Sequence, residues 1–418
     1  MDELTQGRNA GGMPRILLIG AGDFQLPIVK RAAERFDVCL AAPVISEKFL
    51  PYCYDTLLTD VRDKEKILAY AQEMGVIGVT TDETDIPVRT IAYIAEKMGL
   101  PGIGYETGCL FTDKSLMREK MAQLGIPLLP NRTVHSLEEA LAFYEEIGGT
   151  VVIKPLDTQG SRGVQTCRNA EELREKYAEA ARWSSHGDVI VERCATGREF
   201  VVEGRAYRGR FTNLCIGDTL YFDLPDAFAA KSRIFPTTAD DALRDRVLDL
   251  NTRIIEGFGL WQGITHSEFI MEGDEIYLIE TAARGGGVFI SSDLIRLSCG
   301  VIPEDFLLDV ATGKEPDLTV LPQQCVCGYM AFFVPEGKIL RVEGVQEVLD
   351  LPWIHHTQLD HLHAGTENHE GHTDKTSRIA LTLSAPDRET FNKRMAIVRQ
   401  TLRVDVETPE GIQGLIWE

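Results

Sequence analysis

No apolar run in this chain approaches the roughly 18 residues that cross a bilayer, so a membrane-embedded protein is not expected. Basic residues are outnumbered. The formal charge of −21 argues against nucleic acid or an anionic membrane as a general partner, since both are held by clustered Lys and Arg. The nine cysteines are odd in number and scattered, with only Cys325 and Cys327 close together. That pattern suits reduced thiols in a cytoplasm rather than a disulfide framework. There is no internal repeat, no low-complexity tract, and no basic-then-apolar leader of the secretory kind. Residues 1–12 read instead as a flexible leader. What remains is ordinary for a soluble globular protein: 44% hydrophobic and 26% charged over 418 residues, enough for several domains.

Two phosphate-binding signatures are also incomplete. Gly20 and Gly22 begin GxGxxG, but Gln25 stands at the third glycine, and the second strand ends LAAPV with no acid for a ribose. A tight strand-to-helix turn is the expected reading. No GK[ST] closes a Walker loop anywhere near Lys154, where the lysine precedes the glycines.

The elements that are present alternate. RILLIGAG (15–22) is a buried parallel-strand run, PIVKRAAERF (27–36) a helix, and DVCLAAP a second strand. DKEKILAYAQEMG reads as a helix, VIGVTTD as a strand, and DIPVRTIAYIAEKMGLPG as a helix with a glycine stop. This predicts a doubly wound parallel α/β domain over residues 13–111. From Thr112 the pattern changes: DKSLMREKMAQLG is a helix that Asp113 caps, SLEEALAFYEEIG follows Ser136, and TVVIKP is a strand. The tail mixes strands (GYMAFFV, SRIALTLSA) with the helix RETFNKRMAIVRQTL, which predicts a small α+β domain over 321–418.

Three stretches carry chemistry. In VVIKPLDTQGSRGVQ (151–165) a strand delivers Lys154 to a loop containing Gly160, Ser161 and Gly163. Glycines let backbone N–H groups approach an anion, and hydroxyls add donors. DVIVERCATGREFVVEG (188–204) is strand, break, strand; such a linker can present backbone groups to a flat base, with Glu192 or Glu199 accepting from ribose hydroxyls. ITHSEFIM and EIYLIETA form a hairpin around EGD, running into Arg284 and three glycines. A three-residue loop would set Glu268 opposite Glu280, and a two-residue loop would shift them by one place. Two carboxylates that close repel unless a cation lies between them, and an all-oxygen pair near a phosphate loop favours Mg²⁺.

In this order the motifs resemble the ATP-grasp superfamily of carboxylate–amine and carboxylate–thiol ligases, most closely its L-amino-acid (dipeptide) ligase branch. The resemblance covers Lys114, Lys154, the loop TQGSRGV, VIVERC, GREF, and the pair Glu268 and Glu280 followed by Arg284. It implies a two-part ATP-grasp domain over 112–320 (112–190 and 191–320) between the flanking domains. It further implies that Lys114 and Lys154 contact ATP phosphates, and that Gly160, Ser161 and Gly163 form a flap. Glu192 and the backbone through Cys194 would hold adenine, and Glu199 the ribose. Glu268 and Glu280 would bind Mg²⁺ (or Mn²⁺), and Arg284 would face the substrate carboxylate. Lys231, in DAFAAKSRIFPTT, would approach the substrate pocket. The glycines after Arg284 could offer backbone N–H groups to substrate oxygens. One position departs from the family pattern: Ala282 stands where many relatives carry a metal-ligating Asn.

The expected function is therefore an ATP-dependent ligase. It would activate a small carboxylate, such as an amino acid, as an acyl phosphate and couple it to an amine. Partners would be these small molecules and, from relatives, a second copy of the chain. Two alternatives stay open: a biotin-carboxylase or carbamoyl-phosphate-like enzyme using bicarbonate, and a nucleotide-binding protein without turnover. Six of nine histidines fall within 355–372, a polar loop or a metal-binding tract. His266 shares a sheet face with Glu268 in a regular strand.

Overall fold

A computed structural model describes residues 12–158, 160, 162–224, 229–369 and 378–418. Ser161 and all but the last residue of the expected leader lie outside them. The N-terminal sheet is parallel, in the order β3 (Asp55–Leu58), β2 (Asp37–Ala42), β1 (Arg15–Ile19), β4 (Val79–Thr80). The VIGVTTD run is shorter than expected, because the chain turns after Thr80. Thr81 Oγ1 donates to the Ile19 carbonyl, and Glu83 takes a left-handed φ of 57°. Gln25 explains the incomplete glycine signature, since its Oε1 accepts the Gly22 N–H at 2.7 Å and so occupies an amide left open in a phosphate turn.

The next lobe is a four-stranded antiparallel sheet in the order β5 (Asn131–Val134), β8 (Val189–Arg193), β6 (Val151–Pro155), β7 (Gln165–Cys167). Its helices begin as the sequence expects, with Asp113 accepting from the amides of Ser115 and Leu116, and Ser136 from that of Glu139.

The largest sheet has eight strands. Its order is β13 (Glu275–Ala282), β12 (Gln262–Glu272), β9 (Arg198–Tyr207), β10 (Arg210–Tyr221), β11 (Ala230–Phe235), β14 (Val326–Phe333), then Arg378–Ala385 and Ile354–Thr357. Strand pairing crosses the boundary expected at 321. β14 pairs with β11 from Ser232 opposite Met330 to Phe235 opposite Cys327, so the C-terminal segment extends the sheet instead of forming a separate one. The cause is burial. Every residue from Cys327 to Phe333 is buried, and such a strand takes apolar cover on both faces. Tyr329 and Phe333 share one core with Ile28 and Val29 of the N-terminal domain and with Leu294. A second, four-stranded antiparallel sheet (Gly337–Glu343, Glu367–Asn368, Arg403–Thr408, Gly411–Gln413) completes the tail.

One glycine of the loop after Lys154 is fixed by space as well as conformation. Gly163 has φ of 73°, and an added Cβ would lie 2.7 Å from Trp183 and 2.8 Å from Pro155. Gly75, a helix cap at φ 62°, has nothing within 4 Å of that position. Gly163→Ala is therefore expected to destabilise the protein by about 2–3 kcal/mol, against about 1 kcal/mol for Gly75→Ala, in urea unfolding. Equal losses would show that the Trp183 contact is not tight.

Candidate functional site

The hairpin meets neither of the two simple registers. Its turn has two residues, with Glu272 opposite Glu275, yet Glu268 lies directly opposite Glu280. The difference is absorbed by a bulge at Ile279, because Phe269 pairs with Leu278 while the next residue back, Glu268, pairs with Glu280. Arg118 pins the bulge. Its Nη2 donates to the Ile279 carbonyl at 2.6 Å, and its Nε donates to Glu192 at 2.6 Å. Arg118 lies four residues after Lys114 on one helix face, a spacing that could have exposed it in the sequence.

The two opposed carboxylates are each answered by protein cations. Glu280 pairs with Lys114 at 2.9 Å, and Glu268 with Arg233. His266, next but one to Glu268, is 3.1 Å from it and also bonds Glu203 and Arg233. In the eight-stranded sheet β9 and β10 separate β12 from β11, a lateral offset of about 14 Å in a flat sheet. Arg233 nonetheless meets Glu268 through their side chains.

Glu268 and Glu280 lie at the junction of two cavities. The first, about 250 Å³, is bordered by Lys114, Lys154, Cys194, Glu199 and Tyr221 as well. Within it Glu192 takes a different place from the one expected. It is 1% exposed, and its carboxylate is bound by Lys154 at 2.5 Å as well as by Arg118. Burial alone would raise its pKa, but these two cations hold it well below the usual carboxylate range. Its side chain is thus a fixed counter-ion that orients Lys154. The Cys194 amide is also committed, donating to the Thr150 carbonyl at 2.9 Å, and the Cys194 carbonyl accepts from Arg193 Nη1 at 3.4 Å. Glu199 accepts from the Tyr221 hydroxyl at 2.6 Å, and burial pushes its pKa up to about 7. Lys114 Nζ also donates to the Thr158 carbonyl at 2.9 Å, tying the start of the small-residue loop to Glu280.

The second cavity, about 320 Å³, lies on the other side of the carboxylate pair. Gly160, Arg233, His266, Arg284 and Arg378 line it, with Asp85 of the N-terminal domain. Arg284 is gripped by Asp85 through two parallel bonds of 2.6 and 2.9 Å. The glycines after it serve close packing. An added Cβ at Gly285 would fall 2.1 Å from Ser291 Oγ, and one at Gly286 would fall 2.8 Å from both Glu203 and His266. This corrects the expectation for the amides of Gly285 and Gly286, while Gly287 lines the cavity. Gly285 N–H donates to Asp82, and Gly286 N–H to Glu203. Asp82 also accepts from Ser291, while Glu83 accepts from the amides of Phe289 and Ser292. The DETD run (82–85) therefore clamps the glycine loop. Three acids just after a strand end of a parallel sheet were a signal that sequence reasoning passed over. Lys231 is a further correction. It does not border this cavity but pairs with Glu418, and Arg233 two residues on is the cation that enters.

Three histidines of the tail have separate partners, His355 with Ser384, His356 with Asp293, and His361 with Asp23, and His372 lies outside the described residues. Among the described residues no group of three or more His, Cys, Asp or Glu could hold a metal ion. No helix among them is long and apolar enough to cross a membrane.

Comparison with known proteins agrees with this geometry. Residues 113–203 match the family model of the carbamoyl-phosphate synthase L chain, ATP binding domain. The chain is 26% identical over 279 residues to alanine–anticapsin ligase of Bacillus subtilis (strain 168), a match covering 61% of this chain and 58% of that protein. It is 21% identical over 295 residues to the L-arginine-specific L-amino acid ligase of Bacillus subtilis, covering 69% and 71%. Its matched part thus spans less than two thirds of alanine–anticapsin ligase. Among solved structures, L-amino acid ligase from Bacillus licheniformis superposes with a TM-score of 0.79 at 19% identity, over 96% of this chain and 100% of that one. Phosphoribosylglycinamide synthetase from Anaerococcus prevotii gives 0.73 at 16%, over 94% and 99%. The fold is that of these two enzymes, and residues 113–203 are similar to the ATP binding domain of the carbamoyl-phosphate synthase L chain.

The buried acids carry a pH signature. Burial pushes Asp82 up to about 6 and Glu304 up to about 8, and it raises Glu83, beside Asp82, well above the ordinary range. Each holds its proton more tightly folded than unfolded, so its ionised form burdens the fold at high pH. That burden is lifted as pH falls toward the ordinary carboxylate pKa. Thermal unfolding is expected to show stability rising from about pH 8 to about pH 5, by roughly 1–2 kcal/mol for Asp82 alone. Asp82→Asn should flatten the slope, and an unchanged slope would show that Asp82 does not titrate there.

Proposed function

We propose that the protein is an ATP-dependent ligase that activates a small carboxylate as an acyl phosphate and joins it to an amine, releasing ADP and phosphate. The observation that carries this is the direct opposition of Glu268 and Glu280 at the junction of two cavities. Lys114 and Lys154 border the first, Arg233 and Arg284 the second. A carboxylate is a poor electrophile, and passing a phosphoryl group to it brings anions together. Fixed positive charge at that point lowers the barrier.

In this reading the first cavity takes the nucleotide. Lys114 and Lys154 meet its phosphates, and Glu199 with Tyr221 lies at its sugar. The base lies against the linker at Cys194, whose amide is already in use. Gly160, Ser161 and Gly163 belong to the loop that covers the phosphates and keeps water from the acyl phosphate. The all-oxygen donor pair fits Mg²⁺ or Mn²⁺, and Glu268 and Glu280 would hold it; the ion supplies charge neutralisation at the phosphates. Ala282, 3% exposed beside them, would add no third oxygen to such an ion. Arg284, oriented by Asp85, receives the carboxylate in the second cavity. The names of the relatives point to amino acids as substrates. A homodimer and a cytoplasmic location accompany this proposal.

Glu280→Gln is expected to lower ADP release in the presence of Mg²⁺, ATP and amino-acid mixtures by about 10²-fold or more. Near wild-type release would sink the metal assignment. Release that depends on bicarbonate, and not on an amine, would replace this reading with the carboxylase one.

A further inference from the structure

Resting on the ligase reading above, we propose that a third cavity binds the inorganic phosphate freed by the reaction and leads it out. Arg62, Lys64 and Arg89 are the cations that hold it.

This cavity, about 220 Å³, lies where the N-terminal domain meets the loop after Lys154. It touches the first cavity at Thr158 and Glu280, and the second at Asp85 and Glu280. All three therefore meet at Glu280, one of the two opposed carboxylates. Of the three, Lys154 and Glu199 border only the first, and Arg284 borders only the second.

Charge singles the third cavity out. Arg62 follows β3, Lys64 opens the helix Lys64–Met74, and Arg89 lies in the helix Val88–Met98, so three segments bring a cation to it. Two of the three acids that line it are answered from outside, Asp85 by Arg284 and Glu280 by Lys114. The third is Asp157. Burial would raise its pKa, but hydrogen bonds from Ser185 and the charges of Arg89 and Arg62 hold it below the usual carboxylate range. The cations themselves are loosely held by acids. Arg62 is 3.9 Å from Asp60, and Arg89 bonds Thr112 and reaches Asp113 only at 3.4 Å. Lys64 donates to the Tyr105 hydroxyl at 3.3 Å. Three cations against one carboxylate draw an anion into the cavity.

The chemistry selects that anion. When an amine attacks the acyl phosphate, a C–N bond forms and the C–O bond to phosphate breaks. The electron pair stays on the phosphate oxygen, which takes the proton lost by the amine. Hydrogen phosphate is thus set free beside Glu280, with ADP in the first cavity and the new amide in the second. The third is the side left open, and its two guanidinium forks match phosphate oxygens.

Calorimetry tests the binding: the whole protein, loaded with Mg²⁺ and ADP, is titrated with sodium phosphate at constant ionic strength. Wild type is expected to bind phosphate, and Arg89→Gln and Lys64→Gln each to weaken it about tenfold, the worth of one charge-assisted hydrogen bond. Arg62 is half exposed, so Arg62→Gln serves if Arg89→Gln does not fold. No binding overturns the site. Binding weakened by Lys154→Gln but by none of these three variants also overturns it, since the anion would then lie in the nucleotide cavity. The exit role is read during turnover, as the delay between phosphate formed, by acid quench, and phosphate free, by a fluorescent phosphate sensor. Arg62→Gln should lengthen that delay by about fivefold or more, and an unchanged or shorter delay overturns the exit role. If wild type releases no ADP with any acid and amine pair, the ligase reading fails, and the titration alone decides the anion site.

Discussion

Two carboxylates facing each other on neighbouring strands repel, and much of this site is an arrangement for holding them there. Glu268 and Glu280 would separate or take up a proton if left alone in a half-buried cleft. Lys114 and Arg233 supply the opposing charge, each from a different element, and Arg118 holds the bulge that keeps the two acids in register. Those cations are in turn positioned by further anions or carbonyls: Glu192 beside Arg118 and Lys154, and the Thr158 carbonyl beside Lys114. In a chain with net charge −21, cations are thus gathered where anions are to be handled.

The same economy of charge joins the N-terminal domain to the lobe that carries Arg284. Its DETD loop supplies Asp82 and Glu83 to backbone amides of the glycine loop, and Asp85 to Arg284. These are buried acceptors meeting buried donors, so neither side can move without leaving the other unsatisfied. Arg31 and Arg35 reinforce the junction through Asp305 and Asp309. The N-terminal domain is therefore part of the site. A helix or strand at the wrong angle there would release Arg284 first.

Much of the fold was legible because local rules state it. Asp113 and Ser136 cap the helices their positions predicted, Gly99 ends its helix in a left-handed turn, and RILLI is a buried parallel strand. The residues of the first cavity were legible as an ordered series of motifs, and Lys114, Lys154, Glu199, Glu268 and Glu280 do meet around it. Arg233 was passed over for Lys231, because two basic residues two places apart in a loop look alike until a bulge between Leu220 and Tyr221 sets which one enters. Glu203 drew no notice in the sequence, since nothing in its neighbours along the chain announces that it is buried.

The sequence by itself determined the order of elements, the helix ends, and the residue types able to bind phosphate and metal, since these depend on neighbours within a few positions. Only the tertiary structure decided that Glu192 serves as a counter-ion, that the amides of Gly285 and Gly286 bind protein carboxylates, and that the tail extends the main sheet. Those outcomes turn on charges and hydrogen bonds between segments far apart in the chain, where burial, not sequence spacing, selects the partner.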